Sequence, residues 1–243
     1  MKKRELYSNL TSVPPVFVRI DGRNFHAVAE AWELERPFDL RFSESMAAVC
    51  ISMISDSGLS PDFAYTFSDE ISLYFSTLPF SGRVEKIDSV AASYAASALT
   101  IETGSGIPVS FDARIIQATP EIAVAYLIER QAEAWRNHIN AWCQYALTEE
   151  GYSRREAAQQ LRGLPSAALH ELAFSRGINL ARTPAWQRRG VLVYRRGKTI
   201  EGWNPQLSEI VQTVRTTVVS DRTPPVFSSP EGRSFLNRLI AEL

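Results

Sequence analysis

Three acidic residues stand where short apolar runs stop. Asp21 follows the run at 16–20 (VFVRI), while Asp69 and Glu70 lie between two more runs, at 63–67 and 71–75. Carboxylates at the ends of neighbouring strands meet in a small volume. Two or three of them suit Mg²⁺, a hard cation that draws oxygen ligands from one or two carboxylates and from substrate phosphates. A pair of such ions, roughly 4 Å apart, clamps the attacking and leaving oxygens of an in-line phosphoryl transfer. Gly22 belongs to the same chemistry, because without a Cβ its backbone carbonyl can approach a cation or triphosphate closely. Asp-Gly and Ser-Asp-Glu are equally ordinary in solvated turns, so spacing alone leaves both a metal site and a plain pair of turns open.

For these acids to meet, their strands must be neighbours. Pro14 and Pro15 lead into the run at 16–20, and Asp21-Gly22 turns the chain. From Asp39, residues Phe42, Met46, Val49, Cys50, Met53 and Ile54 recur on one helical face, which Asp56-Ser57-Gly58 closes. The runs at 63–67 and 71–75 form a hairpin, residues 84–101 repeat apolar positions at helical spacing, and 109–116 make a fourth strand. The order β-α-β-β-α-β predicts an α+β fold of ferredoxin-like type, an antiparallel sheet with its helices on one face. Thr119-Pro120-Glu121 then opens a long helix to about residue 150, Ser153-Arg154-Arg155-Glu156 is a capping box, and 165–174 reads as a third helix. One more strand is expected at 191–194, and a final helix at 231–242. The division is a β-α-β-β-α-β half, 1–118, and a helical, basic half, 119–243, packed as one unit.

At 243 residues the chain is long enough for one large domain, or one with a smaller appendage; 45% hydrophobic and 22% charged residues exclude disorder as its main state. Cys50 and Cys143 lack metal spacing and are expected to be buried free thiols. No stretch is long and apolar enough to span a bilayer, and MKKRELYSNL has no apolar core behind its basic start, so a cytoplasmic protein without a membrane partner is expected. A net charge of -1 argues against a generic polyanion binder. That average hides a split: residues 151–200 hold ten basic residues against Glu156 and Glu171, which suggests an anionic partner on one face.

Several strings then stand in one order: Arg19-Ile20-Asp21-Gly22-Arg23-Asn24-Phe25-His26, Phe67-Ser68-Asp69-Glu70, Ser110-Phe111-Asp112-Ala113-Arg114, Asn137-His138-Ile139-Asn140, Gly177-Ile178-Asn179 and Arg189-Gly190-Val191-Leu192. Over residues 14–196 this order resembles that of the tRNA-histidine guanylyltransferase family, reverse polymerases that add nucleotides to the 5′ end of tRNA. The resemblance implies a polymerase palm, two Mg²⁺ ions, ATP and GTP or another nucleoside triphosphate as substrates, tRNA as partner and a homotetramer. It implies further that Asp21 and Asp69 ligate both ions with the Gly22 carbonyl, and that Glu70 supports them. By the same resemblance Asp21, Gly22, Arg23, Asn24, Phe25 and His26, with Ser68 and Asp69, cradle the triphosphate. Arg19 and Arg23 can neutralise phosphate oxygens. His138 and Asn140 are assigned to the activated 5′ end, and Arg188 and Arg189 to phosphate positioning.

The chain also departs from the family pattern. Ala141 stands where a second Asn is expected, Gln144 replaces a further Asn, and Leu169-His170-Glu171 replaces Lys-Asn-Glu. A thinner polar ladder implies less dependence on histidine tRNA and more on base pairing, that is, template-directed filling of missing 5′ nucleotides. Two other classes remain open: a palm-type nucleotide cyclase or cyclic-dinucleotide synthase, and a non-catalytic RNA-binding protein.

Overall fold

A computed structural model describes residues 4–204 and 209–243. In strand β1 (Val16–Gly22), Val16, Val18 and Ile20 fall on one face and Phe17, Arg19 and Asp21 on the other, as the period of two requires. β1 pairs with β3 (Glu70–Phe75) on one side and β4 (Phe111–Gln117) on the other, and β3 pairs with β2 (Phe63–Phe67), every pair antiparallel. β3 is buried along its whole length, which suits its central place and its nearly unbroken apolar run.

Helices α2 (Leu40–Ser55) and α3 (Val84–Thr103) connect these strands and cover the Val16 face. The spacing legible in the sequence becomes the buried stripe of α2, and Asp39 caps it by accepting from the Arg41 and Phe42 N–H groups. The opposite face is covered by α4 (Pro120–Glu149) and α8 (Pro230–Ala241), with Tyr126 and Leu127 packed against Phe17, Phe63 and Tyr74. Thr119 caps α4, with a proline at its start as expected. α5 (Arg154–Leu161), which carries the capping box, and α6 (Ser166–Phe174) pack on the far half of α4 around Ile139, Cys143 and Leu147. Both cysteines are free and buried, and burial pushes the Cys50 thiol up to about 12. No described helix is long and apolar enough to cross a membrane.

The expectation of a helical second half with one short strand is corrected by β5 (Val191–Asn204) and β6 (Glu209–Asp221). β5 runs beside β2, from Phe63↔Tyr194 to Thr66↔Val191, so the six-stranded order is β4-β1-β3-β2-β5-β6. The sheet thus takes strands from both sides of residue 118. The physical reason lies in β6, where eight of thirteen residues are Val, Ile or Thr, side chains that favour an extended backbone. Beyond Tyr194 the two strands leave the sheet as an arm, on which Trp203, Ile210 and Val214 are exposed. Two short helices were also not expected: α1 (Phe25–Ala31), which Asn24 enters at a left-handed φ of 57° without a side-chain cap, and α7 (Ala185–Arg189).

Candidate active site

Register brings the acids together. Asp21 lies directly opposite Glu70 on β3 and Asp112 on β4, so three carboxylates cross the sheet in one row on one face. The row behind it holds Arg19, flanked by Ser72 and Arg114. Arg114 pairs with Asp112 at 2.6 Å, and Arg130 reaches from α4 to Glu70 at 2.9 Å. Asp21 alone of the three has no arginine partner among the described residues. Burial pushes the Glu70 carboxyl up, and Arg130 and then Arg19 pull it back. Glu70 Oε1 and Arg19 Nε are buried without a hydrogen-bond partner among the described residues.

Asp69 arrives by a turn. Ser68 takes a left-handed φ of 50° between Phe67 and Glu70, which pair to close the β2–β3 hairpin. The Gly22 N–H donates to the Asp69 carbonyl at 3.1 Å, and Ser68 Oγ donates to Asp69 Oδ1 at 3.0 Å. The Asp69 carboxylate lies over Gly22 so closely that a Cβ there would stand 2.7 Å from Oδ2. Burial raises the Asp69 carboxyl above its ordinary range; Ser68 opposes this, and the charge of Asp21 adds to it.

This set suits a divalent cation. The charge of Asp21 adds to the rise of the Asp69 carboxyl, and the Asp69 carboxylate lies against Gly22, so a cation here would relieve the crowding of negative charge. Among the described residues no three His, Cys, Asp or Glu side chains converge to hold a metal by themselves. Two carboxylates completed by substrate phosphates is the usual arrangement for Mg²⁺.

A cavity of 610 Å³ opens beside Gly22 and Asp69, within the size range of small-molecule sites. Asn24, Phe25, His26 and Ser68 line it, as does Asn140 across from them on α4. Its far wall is the loop 34–39, fixed by Asp39. Burial alone would raise the Asp39 carboxyl, but Arg41 and the N–H groups of Glu35 and Phe42 hold it down at about 2. Arg23 is exposed and its backbone N–H is tied to the Ser110 carbonyl at 2.8 Å.

Two expected substrate contacts, His138 and Arg189, are corrected. His138 is fully buried between Trp135 and Phe38, with Nε2 3.1 Å from Thr183 Oγ1, so it has no surface to offer a 5′ end. Arg189 donates to the Pro224 carbonyl at 3.1 Å, and its own carbonyl accepts from Tyr65 Oη at 2.8 Å, which makes it a fastener between sheet and tail. Arg188 is half-buried, and burial lowers its pKa. The basic run is also not one face. Arg154 pairs with Glu30, Arg176 with Glu150, and Arg195 donates to the carbonyls of Pro61 and Ile54. Trp186 packs edge-on against Phe38 at the wall of the first cavity, and Tyr194 packs against Phe235.

Sequence reasoning missed Arg130 and the placement of Asp112. Asp112 was legible as an acid at a strand start, but no local pattern announces a partner 60 positions away, as Arg130 is from Glu70.

Comparison with known proteins places the chain in a family. A family model described as tRNAHis guanylyltransferase matches residues 1–119. The chain is 31% identical over 195 residues to the probable tRNA(His) guanylyltransferase of Dictyostelium discoideum, covering 74% of this chain and 75% of that protein. It is 30% identical over 224 residues to tRNA(His) guanylyltransferase 2 of Arabidopsis thaliana, covering 86% of this chain but spanning only 41% of that relative's length. Its fold is shared with a solved structure, a bacterial tRNA(His) guanylyltransferase (Thg1)-like protein in complex with ATP, at a TM-score of 0.73, 22% identity and coverage of 99% and 97%. With that fold, and with that identity across three quarters of the Dictyostelium protein, the chain belongs to the tRNA(His) guanylyltransferase family.

Proposed function

We propose that this protein adds nucleotides to the 5′ end of tRNA in the 3′-to-5′ direction. The observation that carries the reading is the meeting of Asp21, Gly22 and Asp69 at one end of the sheet, beside a cavity of 610 Å³. In the first step an oxygen of the 5′-monophosphate attacks the α-phosphorus of ATP and pyrophosphate leaves. In the second, the 3′-hydroxyl of an incoming GTP or other nucleoside triphosphate attacks the activated 5′ phosphorus and AMP leaves.

The residues divide the work. Asp21, Asp69 and the Gly22 carbonyl would hold Mg²⁺. Bound there, the metal supplies neutralisation of the triphosphate and of the charge that develops in phosphoryl transfer. Arg130 holds Glu70 in place beside Asp21 and opposes the upward push of burial on its carboxyl. Asn24, His26 and Ser68 at the cavity wall can donate to phosphate or ribose oxygens. Asn140 and Gln144 face the same space from α4.

The test is purified protein with Mg²⁺, ATP and GTP on two labelled RNAs, a histidine tRNA lacking its extra 5′ G and a tRNA short of one 5′ nucleotide. Because metal and phosphate positioning act on rate rather than on folding, Asp21→Ala and Asp69→Ala should lose activity by orders of magnitude while staying folded. Near wild-type addition by either variant overturns the site. The truncated tRNA should be repaired at least as well as the histidine tRNA is extended. Cyclic product from ATP or GTP alone, with no RNA product, would instead make the protein a cyclase. The homotetramer and the cytoplasmic location belong to the same reading, and light scattering checks the first.

A further inference from the structure

A second cavity, of 530 Å³, lies between α4, α5 and α6. It adjoins the first: Asn140 and Gln144, one helical turn apart, line both and form the ridge where they meet. The second cavity differs in character. Ile139, Leu161, Leu164 and Leu169 give it apolar walls, while Arg136 and Arg162 add two basic residues to its lining. No acidic residue lines it, although the first cavity carries Glu35, Asp39 and Asp69. Arg136 shares its charge with Glu133, and Arg162 is exposed at the end of α5, where Gly163 at a φ of 77° turns the chain.

An apolar wall beside guanidinium groups is the chemistry that takes a nucleotide, the base against carbon and the phosphate on arginine. A base stacked inside a stem shows no free face, and a terminal pair shows its face only across the full width of the stem. Only an unpaired nucleotide can enter such a cavity. In a tRNA acceptor, the strand opposite the 5′ end runs on as an unpaired 3′ segment. The unpaired nucleotides nearest a reacting 5′ end therefore belong to that tail. We propose that the cavity between α4, α5 and α6 holds an unpaired nucleotide of the RNA 3′ tail, with Asn140 and Gln144 separating it from the reacting 5′ end. This rests on the reading that the first cavity works on an RNA 5′ end, and it adds a feature of the substrate that must be present. Each extra phosphate contact adds to the salt dependence of RNA affinity, and a stacked base strengthens it by about tenfold or more.

Two RNA hairpins with identical 5′ ends, one blunt and one with a short unpaired 3′ tail, test this by fluorescence anisotropy and by nucleotide addition. The wild-type protein should bind the tailed RNA about tenfold more tightly. Arg162→Ala and Leu164→Ser, both at exposed positions, should lose most of that preference while binding and extending the blunt RNA as before, with KM for GTP unchanged. Arg162→Lys should keep part of the preference, because it keeps the charge. Equal binding of the two RNAs by wild-type protein, or an undiminished preference in Arg162→Ala and Leu164→Ser, removes the assignment. Extension of both RNAs without preference would overturn this inference alone, whereas extension of neither would overturn the 5′-end reading and this inference with it.

Discussion

Gly22→Ala adds one methyl group at the most crowded point of the site. Its Cβ would stand closest to Phe25 Cδ2, 2.6 Å from Phe25 Cε2 and 2.7 Å from Asp69 Oδ2, against ordinary contact from 3.4 Å upward, so the carboxylate must move by about 0.7 Å and the ring by somewhat more. The Phe25 ring is wedged between Phe42 and Phe111, with centroids at 5.9 and 5.1 Å, and a close-packed ring yields little. The Asp69 carboxylate, on a turn, is displaced readily, while the resisting ring accounts for the cost in stability. The Gly22 φ lies outside the left-handed region, so the effect is crowding and not backbone strain. Overpacking of this kind costs about 1–3 kcal/mol of stability, and a misplacement of about 1 Å in a catalytic group costs on the order of 10²-fold in rate. The expected result is therefore a folded protein with kcat/KM for nucleotide addition down by about two orders of magnitude. Gly104→Ala is the control: it sits at a φ of 61° with nothing within 4 Å, so it should lower stability by about 1 kcal/mol and leave activity alone. Circular-dichroism melting and addition to a 5′-triphosphorylated RNA, which needs no activation step, read the two effects separately. Wild-type kcat/KM in Gly22→Ala, or equal activity losses in both variants, would refute the reasoning.

His138 gives a pH prediction. Burial first, then Arg188 and His170, push its pKa down to about 4 against the pull of the Leu180 backbone, while the unfolded chain titrates near 6.5. The unfolded state takes up the proton first, so stability is lost as pH falls from about 6.5 to about 4, by about 3 kcal/mol. Urea unfolding across that range should show this loss in the wild type and not in His138→Phe; parallel curves would show that the imidazole is not the cause. Arg130→Leu should destabilise by about 3 kcal/mol, because it leaves Glu70 buried without its partner, and adding Glu70→Gln should restore most of the loss. Additive losses in the double variant would mean that the two side chains are not coupled.

The elements that position the site were legible where one residue pattern decided the local structure. The stripe from Phe42 to Ile54 became α2, the Thr119 and Ser153 caps became the starts of α4 and α5, and the β-α-β-β-α-β order became the β4-β1-β3-β2 core. Asp21 and Glu70 face each other because two legible strands happen to pair in that register. What failed was long-range or ambiguous. In β5 the residues past Tyr194 are mostly polar and include two glycines, so nothing in that strand marks it, whereas the dense Val, Ile and Thr of β6 carry a strand signal of their own. His138 is assigned to the 5′ end by its place in the motif. Its fate was decided by Phe38, about 100 positions earlier, and Thr183, well after it. The ten basic residues of 151–200 looked like one surface, but charge in sequence does not say where a guanidinium finds a carboxylate or carbonyl.

The pairing of β2 with β5 joins segments that lie about 130 residues apart. Ribosomes add roughly 5–20 residues per second, so the interval between synthesis of the two strands is on the order of ten seconds. During that time β2, with Tyr65 and the turn that carries Asp69, is an edge strand whose partner does not yet exist. An unpaired edge next to apolar surface is a template for wrong pairing. Slow, non-local closure of this kind makes the growing chain a candidate client for chaperones, and it ties completion of the sheet edge beside the candidate site to the emergence of a late hairpin.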